Sequence, residues 1–393
     1  MFNKFKKEEI SKTDYTTITF ILIFLKIMPI QLNLYTLFLG MIISQGFFAA
    51  VILWFSNSNK NSNRFLSLLL ISISLWLADS FMRLAGIYNE KPNWYFMPIF
   101  YSFGFGPLIY FYVKSLISHP FEFKKLDYLH FIPVCIQAAL YFYLRFQPYE
   151  FKKWFWENVH YSITYRIEFD GTWISLLIYL LLSIKLIIRY QHWLVNNYSE
   201  VSKFKLNWLK IILGILLLLS LQWLVEIILR DYFNLFFNYD YSIQLLGIIA
   251  LVLGIGGIRQ ANLTVVGFQK TTQDTEQKNI DFVIDDGILK LISEWMDKEK
   301  SFLNPTLTLS DFSKELKLNP KIVSKHINIG LKKSFNDFVN EYRVAEVKRK
   351  MKSTDIEKFT LLAIAYESGF NSKTTFNRIF KDLTGSTPSE YLG

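Results

Sequence analysis

The chain has 393 residues, of which 51% are hydrophobic and 18% aromatic, with 37 Phe, 22 Tyr and 10 Trp. This is more apolar than an ordinary soluble domain, and the apolar runs stop near Gln260. The formal net charge is +10, yet residues 271–393 hold nineteen Lys and Arg against eighteen Asp and Glu. The basic excess therefore belongs to the first 270 residues, and it is no argument for a nucleic-acid-binding tail.

Residues 1–31 form an N-terminal extension. Lys4, Lys6, Lys7, Lys12 and Lys26 precede or interrupt a short apolar stretch, Thr16–Ile30. Three readings stand: a start upstream of the true initiator Met28, an eighth short span, or a disordered or interfacial extension. The layout is that of a signal peptide without a small-residue cleavage site.

Residues 32–260 read as a polytopic membrane bundle. A hydrocarbon core of about 30 Å requires about 20 apolar residues in a helix. Seven segments are predicted as spans: 33–55, 65–84, 95–117, 128–145, 173–190, 208–229 and 242–259. Short polar connections such as Ser56–Arg64 separate them, and aromatic residues crowd many ends. Gly104-Phe105-Gly106-Pro107 sits inside the third and predicts a kink. The predicted outer loop 146–172 is rich in aromatic residues and reads as an interfacial segment or as a lid.

Charged residues inside a membrane are costly and point to function. Asp79 and Arg83 lie four apart near the end of the second span, as do Glu226 and Arg230 near the end of the sixth. At that spacing each pair can close on one helix face. Two readings follow: self-neutralised pairs that stabilise the bundle, or candidate sensing residues around a ligand pocket with Trp76, Gln222 and Trp223 nearby.

Residues 261–284 turn polar and lose periodicity, which predicts a linker. In 285–303, Ile288, Leu291, Ile292 and Trp295 recur at helical spacing and predict an amphipathic connecting helix, ended by Asn304-Pro305. The final segment, 304–393, contains two helix–turn–helix patterns. Thr308 opens the first with a capping-box arrangement. Leu318-Asn319-Pro320 breaks it, and a short second helix runs over Pro320–Asn328. A longer helix is predicted over Phe335–Met351. Thr360 caps the next, Gly369-Phe370-Asn371 turns, and Ser372–Leu383 forms a second recognition helix.

The run Thr308–Leu392 resembles the C-terminal domain of AraC-family transcription regulators. The residues that carry the likeness are Leu307-Thr308-Leu309-x-Asp311-Phe312, Tyr342-Arg343-x-x-x-Glu346, Ile364-Ala365-x-x-x-Gly369-Phe370-x-Ser372-x-x-x-Phe376-x-Arg378-x-Phe380-Lys381 and Thr384-Gly385-x-Thr387-Pro388-x-Glu390-Tyr391. The layout around Gly106–Leu116 is similar to seven-span members found in some Bacteroidetes. Ala363 departs from the pattern, at a position that is usually polar, and the second unit has few basic residues. The resemblance implies two helix-turn-helix units bridged by a linker helix, reading two successive major-groove segments. The expected fold class is thus all-α: a seven-span bundle followed by this soluble domain.

Charge is concentrated locally. Residues 317–352 hold ten Lys and Arg against three acids, and 281–315 hold four against eight. Lysine and arginine on phosphates supply affinity, and base-edge contacts supply specificity. By position on the two recognition helices, Lys321, Ser324 and Lys325, then Lys373, Thr374, Asn377 and Arg378, are the expected groove contacts. Lys332, Lys333 and Lys381 are expected on phosphates. His326 reads as a packing residue.

A DNA reader must be cytoplasmic, so seven spans place the N-terminus outside, in the inner membrane. The excess of lysine and arginine in the inner loops agrees. Cys135 alone excludes an intrachain disulfide and reads as a small buried hydrophobe. The five His have no metal-ligand spacing, and no P-loop, kinase signature or nucleophile elbow is present, so neither an enzyme nor a cofactor is expected. The reading is a membrane-embedded one-component transcription regulator. Its expected partners are double-stranded DNA, the bilayer, a small-molecule or membrane-borne signal and a second copy of the chain. The alternative is a membrane receptor or transporter whose tail binds a protein.

Overall fold

The computed structural model describes residues 33–118, 120–201, 204, 206–233, 235, 241–261, 282–352 and 359–392. The predicted extension at 1–31 and nearly all of the predicted linker at 261–284 lie outside them. The regular structure among the described residues is helical, with one isolated antiparallel bridge between Tyr198 and Thr308. They divide into two compact units. One comprises Met1–Leu186 with Asn207–Gly267, and the other Ile187–Leu206 with Phe268–Gly393.

The first unit begins with α1 (Leu34–Phe55), α2 (Lys60–Leu84), α3 (Phe105–Ile117), α4 (Ile132–Arg145) and α5 (Tyr149–Phe155). A wider π-type stretch, Trp156–Thr164, leads into α6 (Tyr165–Asn197), whose residues from Ile187 on belong to the second unit; α7 (Asn207–Phe233) and α8 (Tyr241–Ala261) complete the first. Helices α1, α2 and α8 pack on one another, and α3 packs on α2. Close approach needs small residues: a Cβ on Gly46 of α1 would lie 2.2 Å from Ser74 Oγ of α2. Outward faces stay apolar, as with Leu37, Met41 and Phe48 on α1 or Ile211, Ile215 and Leu218 on α7.

Four helical stretches among the described residues are long and apolar enough to cross a membrane: Leu34–Phe55, Lys60–Leu84, Tyr149–Asn197 and Asn207–Phe233. Seven are not clearly present. The expected third and fourth spans shorten to the 13 residues of α3 and the 14 of α4. Tyr95–Tyr101 is irregular apart from its first residues, a 3-10 turn covers Ser102–Gly104, and another covers Lys125–Phe131 ahead of Pro133. Apolar composition was enough for a span there, but Pro and Gly shape the backbone. In the last expected span, α8, Leu245–Arg259 counts as a shorter apolar helix. The expected loop 146–172 is mostly helix. Cys135 is exposed rather than buried, on the apolar outer face of α4 beside Ile132 and Ile136.

The second unit holds α9 (Asp286–Glu299), α10 (Leu309–Glu315), α11 (Pro320–Lys325), α12 (Phe335–Met351), α13 (Leu361–Glu367), α14 (Lys373–Thr384) and α15 (Pro388–Leu392). It has two cores. Ile292, Met296, Phe312, Val323, Ile327 and Phe338 belong to the first. Val347, Ile364, Phe370, Phe376 and Phe380 belong to the second. Burying each such side chain contributes roughly 1.5–3 kcal/mol. Helix α12 joins them: Phe335, Phe338 and Val339 enter the first core, while Val344, Val347 and Met351 enter the second. Helix α9 is part of the first core through Ile292 and Met296.

Candidate nucleic-acid interface and sensing residues

Each recognition helix is set by a cap and an apolar face. Asn319 Oδ1 accepts the Lys321 N–H at 2.9 Å, and Pro320 occupies the first turn of α11 where its missing N–H costs nothing. Val323 and Ile327 point into the core, leaving Lys321 and Lys325 exposed and Ser324 half-buried. In α14, Ser372 Oγ accepts the Thr375 N–H at 3.1 Å, and Gly385 ends the helix at φ 82°. Phe376, Ile379 and Phe380 face inward. Lys373, Thr374, Asn377, Arg378 and Lys381 are exposed.

Several candidates already have partners. Lys325 lies over the Phe282 ring, with Nζ 4.7 Å from its centroid. Ser324 accepts from Asn328, Lys333 pairs with Glu341, and Arg378 reaches Asp382 at 3.1 Å. Exposed pairs of this kind are worth about 0–1 kcal/mol, so a phosphate can displace them. Lys332 is exposed in a left-handed conformation at φ 55°. His326 is buried. The Asp285 N–H donates to its Nε2 at 3.1 Å, so the proton sits on Nδ1, which donates to the Ile322 carbonyl at 2.8 Å. It ties the start of α9 to the first helix-turn-helix unit.

A family model described as a helix-turn-helix domain matches residues 312–393. Residues 312–393 are an AraC-type helix-turn-helix domain. An uncharacterised HTH-type transcriptional regulator of Staphylococcus aureus (strain COL) is 33% identical over 87 residues, covering 22% of this chain and 11% of that protein. The TCP pilus virulence regulatory protein of Vibrio cholerae (strain O395) is 30% identical over 144 residues, covering 35% of this chain and 50% of that protein. The chain thus spans half or less of the curated relatives it matches. No solved structure matches it. These likenesses support a DNA-binding transcription regulator.

The helix-turn-helix domain is built around one residue that sequence reasoning did not single out as a site. Arg343, 1% exposed, stands on α12 where the two cores meet. Its Nε donates to the Phe302 carbonyl and its Nη2 to the Asn304 carbonyl, both at 2.8 Å. Nη2 also donates to Ser199 Oγ at 3.1 Å and Nη1 to the Ser199 carbonyl at 3.4 Å. Ser199 donates from Oγ to the Leu307 carbonyl at 2.7 Å, and Asn336 Nδ2 donates to the Ser199 carbonyl at 2.7 Å. The connection between α6 and α7 is therefore packed into the same unit as the helix-turn-helix domain. Burial pulls the Arg343 guanidinium down to about 10, opposed by nearby Glu200, and it stays charged at neutral pH. Asn336, Asn340 and Arg343, spaced four and three apart on one buried face, were the available signal.

Of the candidate sensing residues, Asp79, Arg83 and Arg230 line one cavity of about 330 Å³ in the first unit, and Glu226 does not. Arg83 Nη2 donates to Asp79 at 2.7 Å, and the Tyr88 hydroxyl donates to the other oxygen. The expected Glu226–Arg230 pairing is replaced. Arg230 donates to Asp170 of α6 and to its neighbour Asp231, each at 2.8 Å, while the Gln222 amide donates to Glu226. Two carboxylates on one guanidinium fork outcompete a single partner a helical turn away. Among the described residues no His, Cys, Asp and Glu group could hold a metal.

Proposed function

We propose that the chain is a membrane-embedded transcription regulator. Its bundle would receive a signal and its C-terminal domain would read DNA in the cytoplasm, at the inner membrane. The observation that carries this is the presence in one chain of four helices able to cross a bilayer and a helix-turn-helix domain. The outward apolar faces of α1, α6 and α7 suit lipid, where packing rather than water drives helix association. Lys321, Ser324 and Lys325, with Lys373, Thr374, Asn377 and Arg378, would enter the groove, while Lys332, Lys333 and Lys381 hold phosphates. Asp79, Arg83, Glu226 and Arg230 belong to the sensing part in this reading, and a second copy of the chain is a proposed partner.

Coupling would run through the α6–α7 connection. A shift of α6 along its axis would be felt at Ser199, and through it at Arg343 and both cores. A ligand changes DNA binding only if it prefers one state of this contact. Membrane fractionation with chromatin mapping of the tagged full-length protein tests the whole reading. Discrete genomic sites occupied by a membrane-bound protein, and lost in Arg378→Ala, are expected. Equal recovery of all sequences, or occupancy only by a soluble cleaved tail, would overturn it.

A further inference from the structure

The cavity of the first unit has walls and a charge balance that specify a ligand. Its walls are rings: Trp76, Tyr95, Phe96, Trp156, Tyr165 and Phe169 all line it. Three arginines and His160 line it, and each arginine has an acidic partner. Arg83 pairs with Asp79, Arg230 with Asp170 and Asp231, and Arg166 lies 4.0 Å from Asp231. One carboxyl is left over. Glu168 lines the cavity and accepts the Tyr141 hydroxyl at 2.7 Å, but it has no cationic partner among the described residues. Nη1 of Arg230 lacks a hydrogen-bond partner, but that atom is buried.

We infer that this cavity binds a small organic cation, an amine or quaternary ammonium carrying one ring or a short apolar group. The cationic head sits against Glu168, and the rings supply the faces that attract a desolvated cation within about 6 Å. A cavity of about 330 Å³ lies at the small end of the ligand-pocket range of about 300–1,000 Å³. It suits a molecule the size of phenethylamine. The inference rests on the proposed sensing role of the bundle and names its ligand class.

The test uses full-length protein in lipid nanodiscs and equilibrium dialysis with phenethylamine, benzyltrimethylammonium and the anionic isostere 3-phenylpropionate. Saturable binding of the two cations, at least tenfold tighter than the anion, is expected. Glu168→Gln weakens the cations at least tenfold and leaves the anion unchanged. Trp156→Leu, which keeps the carboxyl, weakens them severalfold and decides the matter if Glu168→Gln is not monodisperse. Equal binding of cation and anion, no saturable cation binding, or cation binding indifferent to both variants overturns the inference. Cation binding that leaves DNA affinity unchanged would keep the site and reject only the sensing role.

Discussion

Arg343 and Ser199 lie 144 positions apart and are joined by two hydrogen bonds, Nη2 to Oγ at 3.1 Å and Nη1 to the carbonyl at 3.4 Å. The same guanidinium holds the Phe302 and Asn304 carbonyls, so one side chain closes the junction between the two helix-turn-helix cores and receives the α6–α7 connection. Removing it would take a donor from three carbonyls, of which Ser199 keeps Asn336 Nδ2, Asn304 keeps the Leu307 N–H, and Phe302 loses its side-chain donor in a buried setting. Arg343→Ala is expected to destabilise the C-terminal unit by about 3 kcal/mol or more. Arg343→Lys should recover little, since an ammonium cannot span the fork. Urea unfolding followed by tryptophan emission checks this.

Gly369 makes that packing possible. Its φ is +93°, and a Cβ would lie 2.3 Å from the Phe302 carbonyl oxygen and 2.9 Å from Arg343 Nε. Gly369→Ala should cost about 2 kcal/mol or more, from the left-handed backbone and the collision together. Gly385, also left-handed at φ +82° but with open space around it, provides the control, with a loss near 1 kcal/mol expected for Gly385→Ala. Equal losses at the two positions would contradict the close approach.

The two classes of DNA contact separate by salt. Asn377→Ala should cost about 1–3 kcal/mol on the preferred site and relax the base preference there. Lys332→Ala should weaken binding to all sequences alike and reduce the salt slope by about one. Fluorescence anisotropy at three salt concentrations, on preferred and scrambled duplexes, distinguishes them.

Glu346 gives a pH signature. The Arg349 guanidinium, hydrogen-bonded to its carboxylate, holds it below the usual range, with Lys300 adding to the effect. A depressed folded-state value stabilises above the unfolded value, about 4.3, and the contribution fades as pH falls through the folded one. The melting difference between the protein and Glu346→Gln should therefore be largest at neutral pH and shrink below about pH 4. A difference constant from pH 7 to pH 3 would contradict it.

The C-terminal elements were legible because their signals are local. Thr308 and Thr360 cap where expected, Asn319 and Ser372 supply caps at the expected break and helix start, and the apolar spacing of Phe376, Ile379 and Phe380 fixes which side of α14 is free. The third and fourth spans misled because hydropathy sums side chains, whereas Gly104, Pro107 and Pro133 act on the backbone. The i,i+4 rule found Asp79–Arg83 but saw only one helix at Arg230, whose partner Asp170 is 60 residues away. Ser199 was invisible for the same reason, being a small polar residue in a short connection whose importance lies entirely in what it touches.

The most direct test of coupling through Ser199 compares three dissociation constants for one duplex: full-length protein in nanodiscs, its Ser199→Phe variant and the soluble fragment 280–393. Ser199 is 1% exposed, so Phe cannot fit and the connection must leave Arg343. If the contact restrains the reading domain, wild-type and fragment differ, and Ser199→Phe moves the full-length value to that of the fragment. Three equal constants, or a variant that still matches the wild type, would contradict it.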